Sequence, residues 1–356
     1  MTVPFRIGVM QLTAEPTRTI LAQAKVMDEQ GFDTIWLCEA YPWWRKHSLE
    51  ARSLTALSAL VGLETRKITV GWGIISPYTR HPIQVAMDAR VTQELVGPDR
   101  LRIGLGASKI FMRHIGEGGA KPAKPVRVMR ESMEIIRAVM AGEEVNYEGE
   151  SFSAHVPALR PDAESARGAV PVYLAGTGPQ MQRLAGRAAD GLLTASITTP
   201  DFVRYTWDNV REGAAVAGRD PETIDVGCTL VSSIGEDEES GRDGAREIAA
   251  MYLANKVQNI QGAAEVLLQK ANLEPDEIRP VAEAMERGGR LAAKAAVTDA
   301  ILDKCKPIAG TPTQCIDRIL EYKEAGCNHI MLEMWGADRE RQLELFGTKV
   351  LPEVRK

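Results

Sequence analysis

Three stretches of the chain hold residues with chemistry in them. The first is Leu37-Cys38-Glu39-Ala40-Tyr41-Pro42-Trp43-Trp44-Arg45-Lys46-His47. Glu39 follows a short apolar run, where a carboxylate serves as acid, base or ligand contact, or as a structural hydrogen-bond acceptor. Trp43 and Trp44 are adjacent in a chain that is only 5% aromatic. They suit stacking on a flat ring or anchoring an interface. Cys38 has no flanking histidine and reads as a small buried hydrophobe rather than a nucleophile. The second stretch, Gly73-Ile74-Ile75-Ser76-Pro77-Tyr78-Thr79-Arg80-His81-Pro82, follows a β-branched run. Its Arg80 is either an anion clamp or a rim ion pair, and His81 reads as a helix cap more readily than as a catalyst. The third, Leu174-Ala175-Gly176-Thr177-Gly178-Pro179-Gln180-Met181, places a glycine-rich turn before a proline suited to open a helix. The free amides and positive dipole end there favour a phosphate; otherwise it is a tight strand-to-helix turn. It matches neither GxGxxG nor GxxxxGK[ST].

The remaining composition narrows the chemistry. The five histidines show no HExxH pattern and join no cysteine cluster at zinc spacing, so no metal is expected. The five cysteines, Cys38, Cys228, Cys305, Cys315 and Cys327, are odd in number, widely spaced and without CxxC. That pattern fits a reducing cytoplasm rather than a disulfide framework. With 43 Lys plus Arg against 48 Asp plus Glu, the formal charge is −5. There is no basic excess to grip a nucleic acid backbone. Apolar runs fall well short of the roughly 20 residues of a membrane helix. The start, Met1-Thr2-Val3-Pro4-Phe5-Arg6, lacks a signal-peptide pattern.

These stretches need a frame to position them. Short apolar runs alternate with amphipathic segments through 356 residues. Strands are expected at 6–10, 34–37, 68–73, 101–105, 170–175, 191–195, 225–232 and 329–334. Helices follow at 17–30, 51–63, 81–95, 126–140, 180–188, 201–217 and 238–253, with one at 312–325 leading into the last strand. A final helix at 338–346 ends at Gly347. Eight strand–helix units predict parallel pairing and a closed α/β barrel, a (β/α)₈ TIM barrel, with an open doubly wound sheet as the rival. One domain over 1–356 is expected, with two excursions. The first, at 143–170, holds a hairpin (145–147 and 151–153 around Gly149) and a loop; the second, at 255–307, is helical. In such a barrel the site lies at the carboxyl ends of the strands. Those ends are rich in Gly and Ser, include Gly73 to Ser76, Ala107-Ser108 and Gly176 to Gly178, and finish at Glu333. Small residues there leave room for a large flat ligand.

The same stretches, in this order, resemble the bacterial luciferase-like superfamily of flavin-dependent oxidoreductases, and within it the coenzyme F420-dependent, methylenetetrahydromethanopterin reductase-like branch. The likeness runs from Ile7 to about Val231 and resumes at Ile308–Pro312 and Ala325–Ile330. Its carriers are Asp33–Leu37, Gly73–Pro82, Leu101–Gly106, Val170–Pro179 and Leu184–Gly191. The resemblance implies a TIM-like barrel with the cofactor ring in its mouth and a non-prolyl cis peptide at Gly73-Ile74. It also implies a phosphate held by Gly176, Thr177 and Gly178, and a homodimer or higher homo-oligomer. Many relatives carry Asp-His or Glu-His after the second strand, where this chain has Glu39-Ala40, so the proton-handling imidazole is missing. Glu39, His47 or Glu333 is left to replace it, with Glu39 preferred as proton donor or orienting carboxylate. The tryptophan pair also departs from the reductase pattern, so that substrate is not transferred.

The expected site is therefore Glu39 as catalytic residue. Gly73, Ile74, Ser76, Ala107, Ser108, Gly176, Thr177 and Gly178 are placed around the cofactor, and Trp43, Trp44 and Glu333 toward a small-molecule substrate. The expected reaction is hydride transfer between F420 and that substrate. The alternatives are an FMN-dependent monooxygenase using oxygen and a non-catalytic flavin-binding barrel.

Overall fold

The computed structural model describes residues 3–39, 50–107, 124–162, 164, 168–194, 197–257, 262–335 and 338–356. Eight parallel strands close a (β/α)₈ barrel: β1 (Arg6–Leu12), β2 (Thr34–Cys38), β3 (Thr69–Ile75), β4 (Leu101–Leu105), β7 (Val172–Ala175), β8 (Gly191–Thr194), β9 (Asp225–Ile234) and β11 (His329–Glu333). The ring follows that order, and β11 pairs back onto β1, with Val9 opposite Leu332. This closure decides against the open sheet.

Helices α1 (Thr17–Gln30), α2 (Leu54–Glu64), α3 (Pro82–Val96), α4 (Pro125–Ala141), α5 (Pro179–Ala188) and α6 (Pro200–Val216) cover the outside, each after its strand. Proline opens α3, α4, α5 and α6, where a missing N–H costs nothing. Gly31 and Gly142 close α1 and α4 in the left-handed region, at φ 81° and 77°. After β9, α7 (Glu238–Val257) leads into α8 (Ala263–Lys270), α9 (Pro275–Ala295) and α10 (Asp299–Cys305), the helical excursion. These helices share an apolar cluster with Val231 and Ile248 outside the barrel ring. The strand β10 (Ile308–Gly310) then pairs with the far end of β9, Ile308 opposite Ser232. Three residues are too few for a periodicity to reveal, and that strand was not anticipated.

Helix α11 (Pro312–Glu324) precedes β11, and α12 (Arg339–Leu345) follows it. Gly347 does not end the last helix: a π turn over Phe346–Val350 carries the chain on to α13 (Leu351–Val354). The glycine serves packing instead, since a Cβ there would stand 2.5 Å from Gln30 Oε1. The hairpin strands, β5 (Val145–Glu148) and β6 (Ser153–Val156), pair antiparallel with a wider turn than Gly149 alone predicts. The buried Glu131 carboxylate collects the amides of Glu150, Ser151 and Phe152 and holds that turn open. Among the described residues no helix is long and apolar enough to cross a membrane.

Strand residues alternate in and out, so every second side chain enters the barrel. Met10, Trp36, Tyr173, Leu193 and Met331 fill its middle. Trp36 and Tyr173 meet edge to face at 5.3 Å. Glycines make room for them: a Cβ on Gly71 would lie 2.3 Å from the Trp36 ring, and one on Gly191 would lie 2.2 Å from Tyr173. Below them, Thr34, Asp225 and His329 begin their strands and form the floor. His329 Nδ1 meets Asp225 Oδ2 at 3.2 Å, Tyr173 Oη donates to the same oxygen at 2.8 Å, and Arg6 donates to it at 2.9 Å. Thr34 and Trp36 hold the other ring nitrogen of His329, at 2.8 and 3.3 Å.

Candidate active site

The strand ends at the opposite, carboxyl-terminal side form the mouth. On β3 the peptide Gly73-Ile74 is cis. The pairing of β3 with β4 slips between Trp72 and Ile75, so Gly73 and Ile74 bulge from the ladder. Ile74 joins the apolar side chains inside the barrel. The glycines of Leu101–Gly106 permit this. A Cβ on Gly104 would lie 2.2 Å from the Trp72 carbonyl, and one on Gly106 would lie 2.8 Å from Ile74 Cγ1.

Ser76 follows the bulge, fully buried, with a hydroxyl that has no hydrogen-bond partner. Its carbonyl accepts from the Thr79 amide (3.1 Å) and hydroxyl (2.9 Å), which turns the chain. That turn delivers Arg80 to Glu39: two guanidinium N–H groups donate to the two carboxylate oxygens, each at 2.7 Å. The pair is half-sheltered, with side-chain exposures of 24% and 10%, and Glu39 holds the Arg80 guanidinium above its ordinary value. Arg80 is thus a rim ion pair. His81 caps α3, its Nδ1 accepting from the Ile83 amide at 3.3 Å, as its place before Pro82 suggested.

At the end of β7, the Gly176 amide donates to the Leu193 carbonyl, at 3.1 Å. Gly178 is the N-cap of α5 and no side chain caps it. The amides of Thr177 and Gly178 meet no acceptor among the described residues. A Cβ added at Gly178 would meet only the Ala263 side chain, in ordinary contact at 3.9 Å. Ala107 sits half-buried at the end of β4. Trp43, Trp44, His47 and Ser108 lie outside the described residues.

Glu333 ends β11 inside the mouth and is 2% exposed. Tyr252 Oη, from α7, donates to its Oε2 at 2.5 Å. Burial pushes the Glu333 carboxyl up to about 7, against the hydrogen bonds of Tyr252 and Trp335 and the field of Arg339. Cys38 lies in the same field. Burial first, then Glu333 and Glu39, pushes its thiol up to about 12, which suits an inert small residue and no nucleophile. Arg339, almost fully buried, donates to Gln11 Oε1 (2.8 Å) and Glu15 Oε1 (3.3 Å). The fold thus gathers Glu39, Cys38 and Glu333 into one neighbourhood and adds two partners that pattern reading missed, Tyr252 and Arg339. Tyr252 is 81 positions from Glu333 along the chain. Its one sequence signal is a lone aromatic residue in the alanine-rich run Ile248–Ala254.

The site thus sits on a closed parallel (β/α)₈ barrel with a bulge at the end of β3 and a glycine-lined rim. The family model described as luciferase-like monooxygenase matches residues 1–329, and the chain belongs to that family. The chain is similar to a 5,10-methylenetetrahydromethanopterin reductase of Archaeoglobus fulgidus, at 29% identity over 93% of this chain and 94% of the relative. It is 26% identical to an F420-dependent glucose-6-phosphate dehydrogenase of Mycolicibacterium gilvum, over 95% and 94% of the two chains. Among solved structures, the coenzyme F420 dependent tetrahydromethanopterin reductase of Methanopyrus kandleri superimposes with a TM-score of 0.84 at 26% identity, covering 99% of each chain.

Proposed function

We propose that the protein is an oxidoreductase that transfers a hydride between coenzyme F420 and a small organic substrate in the barrel mouth. The observation that carries this is the rim itself: the bulge at Gly73-Ile74 and the buried, orphaned Ser76 hydroxyl stand at the end of β3, in a ring of small strand-end residues. That ring fits a flat tricycle and a phosphate, and the chain's full-length relatives include enzymes named for F420. We assign Gly73, Ile74, Ser76, Ala107 and Ser108 to the ring. The uncapped turn Gly176-Thr177-Gly178 takes the phosphate on the amides of Thr177 and Gly178. Trp43, Trp44 and Glu333 border the substrate. Glu39, clamped by Arg80, is the carboxylate that orients it. When bound, F420 supplies the two-electron hydride chemistry; the protein supplies orientation, a dry site and the proton.

The organisation we propose is one barrel domain over the whole chain, carrying the hairpin and helical excursions. The association we propose is a homodimer. Met87, Val91 and Leu95 recur every four residues on α3 and stay 57%, 56% and 36% exposed, and the neighbouring α2 also exposes Leu60 and Leu63. Val91→Asp is expected to leave a monomer by light scattering; an unchanged mass discards that face. The five unpaired cysteines suit a reducing cytoplasm.

Anaerobic titration tests the chemistry. Tight binding of F420 and hydride transfer to or from an organic partner are expected. Tight binding of reduced FMN with oxygen-dependent product would favour a monooxygenase instead. A retained cofactor without turnover on any partner would leave a binding barrel. Glu39→Gln is expected to cut turnover about 100-fold through lost orientation while F420 affinity stays near wild type; an unaffected rate removes Glu39 from the mechanism.

A further inference from the structure

We infer that Glu333 is the group that hands a proton to the substrate, with the Tyr252 hydroxyl as the link that reloads it. This rests on the hydride-transfer reading above. The alternation along β11 turns His329, Met331 and Glu333 inward, the first to the floor and the last to the mouth. Glu333 is buried, yet among the described residues no Lys or Arg forms an ion pair with it. The charged and titratable groups facing it are Cys38 from β2, Tyr252 from α7, and Arg339 from α12 with its own partner Glu15. Arg339 spends its terminal nitrogens on Gln11 and Glu15.

The other carboxylate of the mouth is arranged differently. Both oxygens of Glu39 accept from Arg80, so neither is left to carry a transferable proton. At Glu333 the Tyr252 hydroxyl meets Oε2, and the Trp335 indole is the other hydrogen-bond partner; neither is a cation. Tyr252 is itself half-buried and stands between Glu333 and the outer helices. Burial pushes Glu333 up to about 7, so it holds a proton in the neutral range and can release one.

The step balances for a polarised double bond, a carbonyl or an imine. Hydride, which reduced F420 would supply and be oxidised in doing so, adds to the carbon, and the π electron pair moves onto the heteroatom. The Glu333 O–H bond breaks, its proton bonds to that heteroatom, and a carboxylate remains. The Tyr252 hydroxyl passes a proton to the carboxylate and recovers one from solvent. The same groups run the reverse direction, with Glu333 accepting the proton of an alcohol or amine.

Infrared titration of the ligand-free protein is the first arm. A carboxylic-acid C=O band is expected to vanish as pH rises through about 7 and to be absent from Glu333→Gln. Tyr252→Phe removes a hydrogen bond that favours the carboxylate, so the midpoint should move up. The second arm is the F420-loaded enzyme. Glu333→Gln is expected to lower kcat about 100-fold or more with KM and F420 affinity little changed, because general acid catalysis of this kind contributes about 10²–10⁴-fold. Tyr252→Phe should shift the pH profile of kcat in the direction of the infrared midpoint. A band that does not titrate, or one that persists in Glu333→Gln, overturns the assignment, as does a loaded Glu333→Gln enzyme with wild-type kcat. Failure to bind F420 at all strikes the hydride-transfer reading, and the infrared arm registers that case separately.

Discussion

At the floor of the barrel, Asp225 accepts from Arg6 and Tyr173 and pairs with His329, whereas at the mouth Glu333 meets a hydroxyl and an indole but no cation. Both carboxyls are buried, at 2% exposure each. Burial alone pushes Asp225 up, but His329, Arg6 and Tyr173 outweigh it and hold the carboxyl below its usual value. Nothing comparable offsets burial at Glu333, which rises to about 7. Charge complementarity therefore makes one end of the barrel a brace. Its absence makes the other end a proton store. That division agrees with the general placing of stability at the amino-terminal face of such barrels and chemistry at the carboxyl-terminal face.

The contrast has consequences that differ in size. Asp225→Ala should be the most damaging change, since it strands His329, Tyr173 and Arg6 together. A loss of about 3–5 kcal/mol in urea unfolding is expected, and a loss under about 1 kcal/mol would show that the floor is not a brace.

The second consequence is opposite pH dependence. Asp225 has a lowered folded-state value, so its contribution is present above the unfolded-state value and is lost as pH falls through the folded one. Glu333 has a raised value. Its contribution is complete below the ordinary glutamate value of about 4.3 and is lost as pH rises through about 7. Unfolding free energies of wild type and Glu333→Gln, compared at about pH 5 and about pH 8, should therefore diverge. The variant gains on the wild type by about 3 kcal/mol toward the higher pH. A constant difference would place Glu333 with Asp225 rather than against it.

The smallest effect separates hydrogen bonds from charge. Tyr173→Phe removes one donor to Asp225 and keeps the ring against Trp36. Thermal unfolding should report a loss of about 1 kcal/mol. A much larger loss would mean that the hydroxyl, rather than the ions, closes the floor.

The two clusters also differ in how far they can be read from the chain. The barrel is legible because each strand is a short apolar run between helices with proline or glycine at their ends. Glu333 and Glu39 are legible as strand-end carboxylates, and His81 as a cap, because local geometry alone decides them. Arg80 is not: clamp or rim pair is one question of where a turn points, and only the turn around Ser76 and Thr79 answers it. The floor escaped notice altogether, although all its members are strand residues. Asp225, His329 and Tyr173 sit on three strands that the sequence separates by up to 156 positions, and no local pattern marks them as neighbours.

Local propensity was enough to set the eight barrel strands and the glycine-rich rim, since these depend on near neighbours in the chain. Which glycines admit the Ile74 bulge, which carboxylate finds a guanidinium and which finds a hydroxyl and an indole depended on barrel closure. Ring closure sets β9 beside β11, leaves only β1 between β11 and β2, and brings Tyr252 of α7 onto Glu333. Burial and partners, and with them the proton affinity of each carboxyl, exist only after that closure.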